Sequence, residues 1–223
     1  MTIPVLTIDG PSGAGKGTVS RQVAKQLGWH YLDSGSIYRS LAIALLQNNV
    51  NPAQVGDIVN TARNMDLAFD CTGELEVTLN GIDITPQLGT ESTGNMASKI
   101  AALPEVRQVL LQKQKDFKKL PGLVADGRDM GTIVFPEANP KIFLTASAEE
   151  RAVRRYKQLM EKGIDVNIRQ ITSEIEERDR RDKERAIAPL VPAEDAFFID
   201  SSAMTINEVI AQVLSLVPQH RSA

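Results

Sequence analysis

The period of the apolar positions changes several times along the chain, and each change marks an element. Val5-Leu6-Thr7-Ile8 is a short apolar run and reads as a buried strand. Val19, Val23, Ala24 and Leu27 follow at helical spacing, and Gly28 is a good residue to stop that helix. His30-Tyr31-Leu32-Asp33 reads as a second short strand, ending in Ser34-Gly35-Ser36. Strand, helix, strand at this length implies a parallel βαβ unit, and such units bind ligands at the carboxyl ends of their strands. The next helix carries Arg39 and an apolar face of Leu41, Ala42, Leu45 and Leu46. Asn51 as N-cap and Pro52 at the first helical position then open a helix whose inner face is Val55, Ile58, Val59 and Ala62.

Past residue 65 the period shortens to two. Residues 65–70 read as extended, and 75–79 and 82–85 alternate on either side of Asn80-Gly81. Asn-Gly between alternating runs is the strongest short hairpin signal. A small antiparallel sheet, within about residues 60–90, is therefore inserted into a parallel α/β protein. Helical spacing returns over 92–103 and 105–118, with Pro104 between them. Strands are expected again at 123–125, 141–146 and 196–200. Ser147 with Glu150, and Thr205 with Glu208, have capping-box spacing. A helix carrying Arg151, Arg154 and Arg155 ends at Gly163, and another runs from Ile168 to Arg185.

Three polar stretches interrupt this pattern. The first is Gly10-Pro11-Ser12-Gly13-Ala14-Gly15-Lys16-Gly17-Thr18, between the first strand and the first helix. Glycines there can take positive φ and point their amides inward as an anion nest, to which the new helix adds its positive end. Lys16 is placed to reach the β- and γ-phosphates of a nucleoside triphosphate. The general P-loop pattern has Ser or Thr directly after the lysine, on Mg²⁺; this chain has Gly17 there and Thr18 one step later. The second stretch is Asp126-Gly127-Arg128-Asp129-Met130-Gly131, at the end of an apolar strand. A strand-end aspartate is what a P-loop enzyme uses to hold Mg²⁺ and its water. The third is the charged run to Arg185. Arg178, Asp182 and Arg185 share one helical face there. Most of its other charges read as a solvated, ion-paired surface. Seven arginines between Arg154 and Arg185 would also suit a mobile cover over phosphates.

Composition narrows the classes. The 223 residues are 42% hydrophobic and 24% charged, ordinary for a soluble globular chain that buries one good core. A net charge of −3 gives no basic field for nucleic acid. A single cysteine, Cys71, forms no intrachain disulfide and suits a reducing cytosol. With it, His30 and His220 cannot build a zinc site. The strand begins too early for a signal peptide, and no apolar run approaches a membrane span. A soluble, cytoplasmic protein is expected.

The G-x-x-G-x-G-K-G-T form of the loop resembles the nucleoside monophosphate kinases. With Leu32-Asp33-Ser34-Gly35, the 125–131 turn and the stretch from Arg178 to Pro189, the chain resembles the bacterial cytidylate kinase (CMP kinase) family nearly end to end. The resemblance implies a P-loop three-layer α/β fold with a five-stranded parallel sheet, forming a single kinase domain. Its core would be about 1–35, 120–153 and 187–223, its monophosphate-binding region about 36–119 with the antiparallel insert at 60–90, and its helical lid about 154–186. The implied reaction is ATP + (d)CMP giving ADP + (d)CDP, in pyrimidine nucleotide metabolism, by a monomer with no nucleic-acid or membrane partner. Gly10 to Thr18 (Gly10, Pro11, Ser12, Gly13, Ala14, Gly15, Lys16, Gly17 and Thr18) would hold ATP. Arg39 and Arg128 would hold the CMP phosphate with Arg185 nearby; Ser34, Ser98, Arg107 and Asp129 would line the base pocket; Arg178 and Asp182 would meet the ribose. Lys16, Arg128, Arg155 and Arg181 are the catalytic candidates. In that family Mg²⁺ is held mainly by phosphates and water, with Thr18 and Asp126 as the candidates to meet it through water. Rival readings are a kinase of UMP or of a small metabolite such as shikimate, a GTP-dependent switch, and a non-catalytic nucleotide-binding module. The switch would call for an Asn-Lys-x-Asp signature, which the chain lacks.

Overall fold

A computed structural model describes residues 2–70, 76–161 and 163–218. Cys71, Leu75 and His220 lie outside the described residues. The chain forms two compact units, Met1–Tyr31 with Lys118–Ala223, and Leu32–Phe117.

In chain order the first elements are β1 (Val5–Asp9), α1 (Lys16–Leu27), β2 (His30–Asp33), α2 (Ser34–Gln47) and α3 (Val55–Asn64). There follow β3 (Leu67–Asp70), β4 (Glu76–Leu79), β5 (Ile82–Asp83), α4 (Thr85–Leu88), α5 (Glu91–Ile100) and α6 (Pro104–Lys115). The chain then returns to the first unit with β6 (Leu123–Gly127), a π-helical turn (Met130–Val134), β7 (Lys141–Thr145), α7 (Ala148–Glu161), α8 (Ile168–Glu184), β8 (Phe197–Asp200) and α9 (Ile206–Leu216).

The larger unit is built on a five-stranded parallel sheet in the order β2-β6-β1-β7-β8. Every residue of β1 and β6 is buried, as expected for strands covered on both faces. The register pairs Asp9 with Gly127 and with Phe143, and Thr145 with Asp200. The carboxyl ends of four strands therefore share one rim, and the loops that leave it begin side by side. Leu6, Ile8, Val19, Val23, Tyr31, Val124, Ile142, Leu144 and Val213 belong to one continuous core. Trp29 packs against that core, and a Cβ on Gly122 would meet its indole at 2.5 Å. Only a glycine lets the β6 approach pass beneath the ring. At the sheet edge, Phe197 and Phe198 of β8 are exposed, and Phe198 stacks on Phe143. A smaller cluster of Ala152, Leu159, Ile171 and Ile175 joins α7 to α8.

The second unit holds helices α2 to α6, with α2 against α5 and α3 against α6, and the antiparallel sheet β3-β4-β5, which α4 meets at β4. Asn80 and Gly81 have φ of 51° and 78°, the pair of positive values that a two-residue type I′ hairpin requires. Phe69 meets Phe117 edge to face, their centroids 5.3 Å apart.

Local chemistry moves some expected boundaries. The helix begins at Ser34 rather than after Ser36, because the Asp33 carboxylate accepts from the Ser36 amide and caps it. Leu46 is 44% exposed and lies off the inner face that Leu41, Ala42 and Leu45 form. Asn51 does not cap α3. Its side chain accepts from the Ala53 amide, an Asx-type turn, and the helix starts at Val55. The second hairpin strand stops at Asp83, because Pro86 sets the backbone of a short helix from Thr85. Thr205 and Glu208 form the full capping box, whereas Ser147 forms half of one: its hydroxyl takes the Glu150 amide, but its own amide donates to Ser202. Among the described residues no helix is long and apolar enough to cross a membrane.

Candidate active site

The glycine loop leaves β1 under tight geometric control. A Cβ on Gly10 would lie 1.9 Å from the Leu144 carbonyl oxygen, so the chain passes there only as glycine. Gly13 and Gly15 hold φ of 79° and 91°. Gly15 is the N-cap of α1 and offers no side chain to its first amides, which leaves that helix end suited to an external anion. Lys16 is buried and curls back over the loop, its Nζ donating to the Pro11 carbonyl at 2.8 Å. Thr18 is exposed on the first turn of α1.

Two arginines from other elements brace this loop. Arg151 of α7 packs against Gly13, donates to the Ser12 carbonyl at 3.0 Å, and is itself held by Asp179 of α8 at 2.6 Å. Arg178 donates to the Ser12 hydroxyl at 3.2 Å.

The turn after β6 is anchored from β1. The buried Asp9 carboxylate accepts from the amides of Met130 and Gly131, each at 2.8 Å. Burial raises the pKa of Asp9 to about 6, against the pull of those two amides. Between the anchor and the strand lie Arg128 and Asp129. Arg128 Nε donates to Asp182 at 2.8 Å; burial opposes its charge, but Asp182, with Asp126 and Asp179 further off, raises its pKa above the ordinary arginine value. Asp129 is buried 3.5 Å from Arg185, whose Nε donates to the Ala188 carbonyl. Asp126, one residue inside the end of β6, accepts from the Tyr31 hydroxyl at 2.7 Å.

The larger unit thus gathers Gly10 to Thr18, Asp126, Arg128, Asp129, Arg178, Asp182 and Arg185 on the carboxyl side of its sheet. Arg155 is half-buried on α7, and Arg181 is paired with Glu177 of its own helix at 3.4 Å. Arg154 turns instead to Ser201 at the end of β8. In the second unit, Ser34 donates to Gln114 at 2.6 Å, Arg39 donates to the Leu88 carbonyl, and Ser98 is half-buried on α5. Arg107 donates to the Ala101 carbonyl at 3.3 Å and lies 5.8 Å over the Tyr38 ring.

Sequence reasoning missed Asp9, Tyr31, Gln114 and the Arg151–Asp179 pair. Asp9 carried a usable signal, a carboxylate ending a buried strand. The others carried none, because their roles depend on partners 28 to 95 positions away.

A family model for cytidylate kinase matches residues 6–219. The chain belongs to the cytidylate kinase family. It is 57% identical over 217 residues to a cytidylate kinase from Aeromonas hydrophila, spanning 97% of this chain and 94% of that one. A cytidylate kinase from Methylococcus capsulatus is 57% identical over 98% of this chain and 99% of its own. One from Klebsiella pneumoniae is 55% identical over 95% and 94%. Members of this family are ATP-dependent nucleotide kinases, and the glycine loop with its buried lysine is the part of this chain that suits a triphosphate.

No cluster of three or more metal-ligating side chains occurs among the described residues. A single carboxylate at a strand end, beside a loop of backbone amides, still fits Mg²⁺. That ion keeps most of its waters and is held by one or two carboxylates plus substrate phosphates.

Proposed function

We propose that this protein transfers the γ-phosphoryl group of ATP to CMP and dCMP, as a monomer in the cytoplasm, serving pyrimidine nucleotide metabolism without a nucleic-acid or membrane partner. The observation that carries the reading is the shared rim of the larger unit. A backbone anion receptor and a turn bearing one half-buried arginine and one buried carboxylate leave the same edge of the sheet, in a chain of this family. Residues 154–186 act as a lid in this reading, and residues 36–119 bind the monophosphate.

The chemistry needs no dedicated base, because a phosphate monoester is already nucleophilic near neutral pH. Catalysis then consists of aligning two phosphates and stabilising charge. The amides of residues 10–18 hold the triphosphate, and Lys16 follows the transferring group. Arg39 and Arg128 orient the acceptor phosphate with Arg185 nearby, and Arg155 and Arg181 cover the transfer. Ser34, Ser98, Arg107 and Asp129 receive the base, and Arg178 and Asp182 the sugar. Mg²⁺, when bound with ATP, neutralises phosphate charge; Thr18 and Asp126 would hold it through water. Lid closure excludes water and so protects ATP from hydrolysis.

A coupled ADP-release assay with CMP, dCMP, UMP and AMP as acceptors tests the reading. Turnover with CMP and dCMP well above UMP and AMP is expected. Equal or greater turnover with UMP would overturn the cytosine assignment, and no acceptor-dependent ADP release would overturn the kinase reading.

A further inference from the structure

Position 17 is glycine where the general P-loop pattern carries a metal-binding hydroxyl. The structure shows what occupies the corresponding space. A Cβ built on Gly17 points at the Tyr31 hydroxyl, 3.6 Å away, and at Asp126 Oδ2, 4.0 Å away. Both are ordinary contact distances, so a small side chain at 17 would reach this spot without a clash. The spot is filled from β2 instead. The Tyr31 ring is buried in the core of the larger unit, so its hydroxyl is held in place, and it donates to Asp126 Oδ2 at 2.7 Å. Against a carboxylate, which only accepts, the phenol is the donor.

We infer that Tyr31 is a positioning residue for the nucleotide's metal ion: its hydroxyl takes the place of the hydroxyl that the loop lacks at position 17 and fixes the Asp126 carboxylate beside the first turn of α1. The inference rests on the ATP-binding reading above. A core tyrosine needs only some acceptor for its hydroxyl. This one uses the strand-end carboxylate next to the loop, and the glycine at 17 leaves room for it. Partners that orient a ligating carboxylate typically change metal affinity by tenfold or more when lost.

The test is calorimetric binding of a non-hydrolysable ATP analogue with and without Mg²⁺. Wild type is expected to bind more tightly with Mg²⁺. In Tyr31→Phe, which removes only the hydroxyl, that enhancement should fall by about tenfold. Metal-free binding and the KM for CMP should stay near wild type, while the melting temperature falls modestly with the lost buried hydrogen bond. Adding Gly17→Ser should restore much of the enhancement. If wild type does not bind the analogue at all, the nucleotide reading itself fails; if it binds equally with and without Mg²⁺, the metal role of Tyr31 is overturned. If wild type shows the enhancement and Tyr31→Phe retains it in full, the role of Tyr31 is overturned. Equal losses with and without Mg²⁺ would also overturn it in favour of packing. Tyr31→Leu should reproduce the Tyr31→Phe loss in the same assay, so a folding failure in either variant leaves the other decisive.

Discussion

The glycine loop and the arginines gathered around α8 both present positive charge, by opposite means. The loop uses backbone. Its amides are aimed by φ angles of 79° and 91° at Gly13 and Gly15, and its path at Gly10 admits no Cβ. The α8 region uses side chains. Arg128 is steered by Asp182, Arg185 faces Asp129, and Arg151 is held by Asp179. A backbone receptor reads charge and spacing, which every nucleoside triphosphate shares. A receptor of paired side chains can be retuned one residue at a time, which suits the part of a kinase that distinguishes acceptors.

The sharpest break in the comparison is Lys16→Ala. It removes the one side-chain cation of the loop while leaving its amides, so kcat should fall by about a hundredfold or more with a much smaller change in ATP affinity. Steady-state kinetics with ATP varied would show the split, and near wild-type turnover would contradict the assignment of the loop. Next in size is Asp182→Ala, which leaves the mostly buried Arg128 without its closest carboxylate. Unpairing a buried charge typically costs about 3–5 kcal/mol; partial exposure of Arg128 should reduce this to about 2 kcal/mol, read from urea denaturation. CMP affinity should fall as well, and ATP affinity should not.

Asp129→Ala sharpens the comparison further. Cytosine offers a donor at its exocyclic amine where uracil offers an acceptor, so a buried carboxylate favours cytosine. The CMP/UMP ratio of kcat/KM should narrow by about tenfold, equivalent to roughly 1.4 kcal/mol. An unchanged ratio with both substrates impaired would leave Asp129 as the partner of Arg185 alone.

The smallest effect is confined to acid pH. The folded pKa of Asp9, about 6, lies above its ordinary value of 3.8, so between these pH values the folded state holds a proton that the unfolded state has lost. The contribution of Asp9 to stability is therefore greatest below about pH 4, falls as pH rises towards 6, and is flat above. The slope is at most about 1.4 kcal/mol per pH unit. The difference in urea midpoint between wild type and Asp9→Asn, followed from pH 4 to 7, should show it.

Legibility in the sequence followed the range of the interactions. The strand–loop–helix around Gly10 to Thr18, the Asn80-Gly81 hairpin and the cap at Thr205 are set by neighbouring residues, and each appears where its pattern placed it. Asn51 misled because the same side chain that caps helices also closes Asx turns two residues ahead. The loop, the 126–131 turn and the arginine face were legible as residue types. What held them was not. Tyr31 lies in a strand pattern that any apolar residue would satisfy, and Asp179 sits in a run of charges where nothing local separates the buried pair from the exposed ones.

Trp29 is the only tryptophan in the chain, and it lies in the larger unit with its indole over Gly122. The protein therefore carries a built-in fluorophore that sees one of its two units. Indole emission follows the loss of the parallel-sheet core, whereas circular dichroism sums helices from both units. Recorded on one sample, the two signals ask whether the chain melts as one cooperative body or in two steps, with no label or engineered reporter.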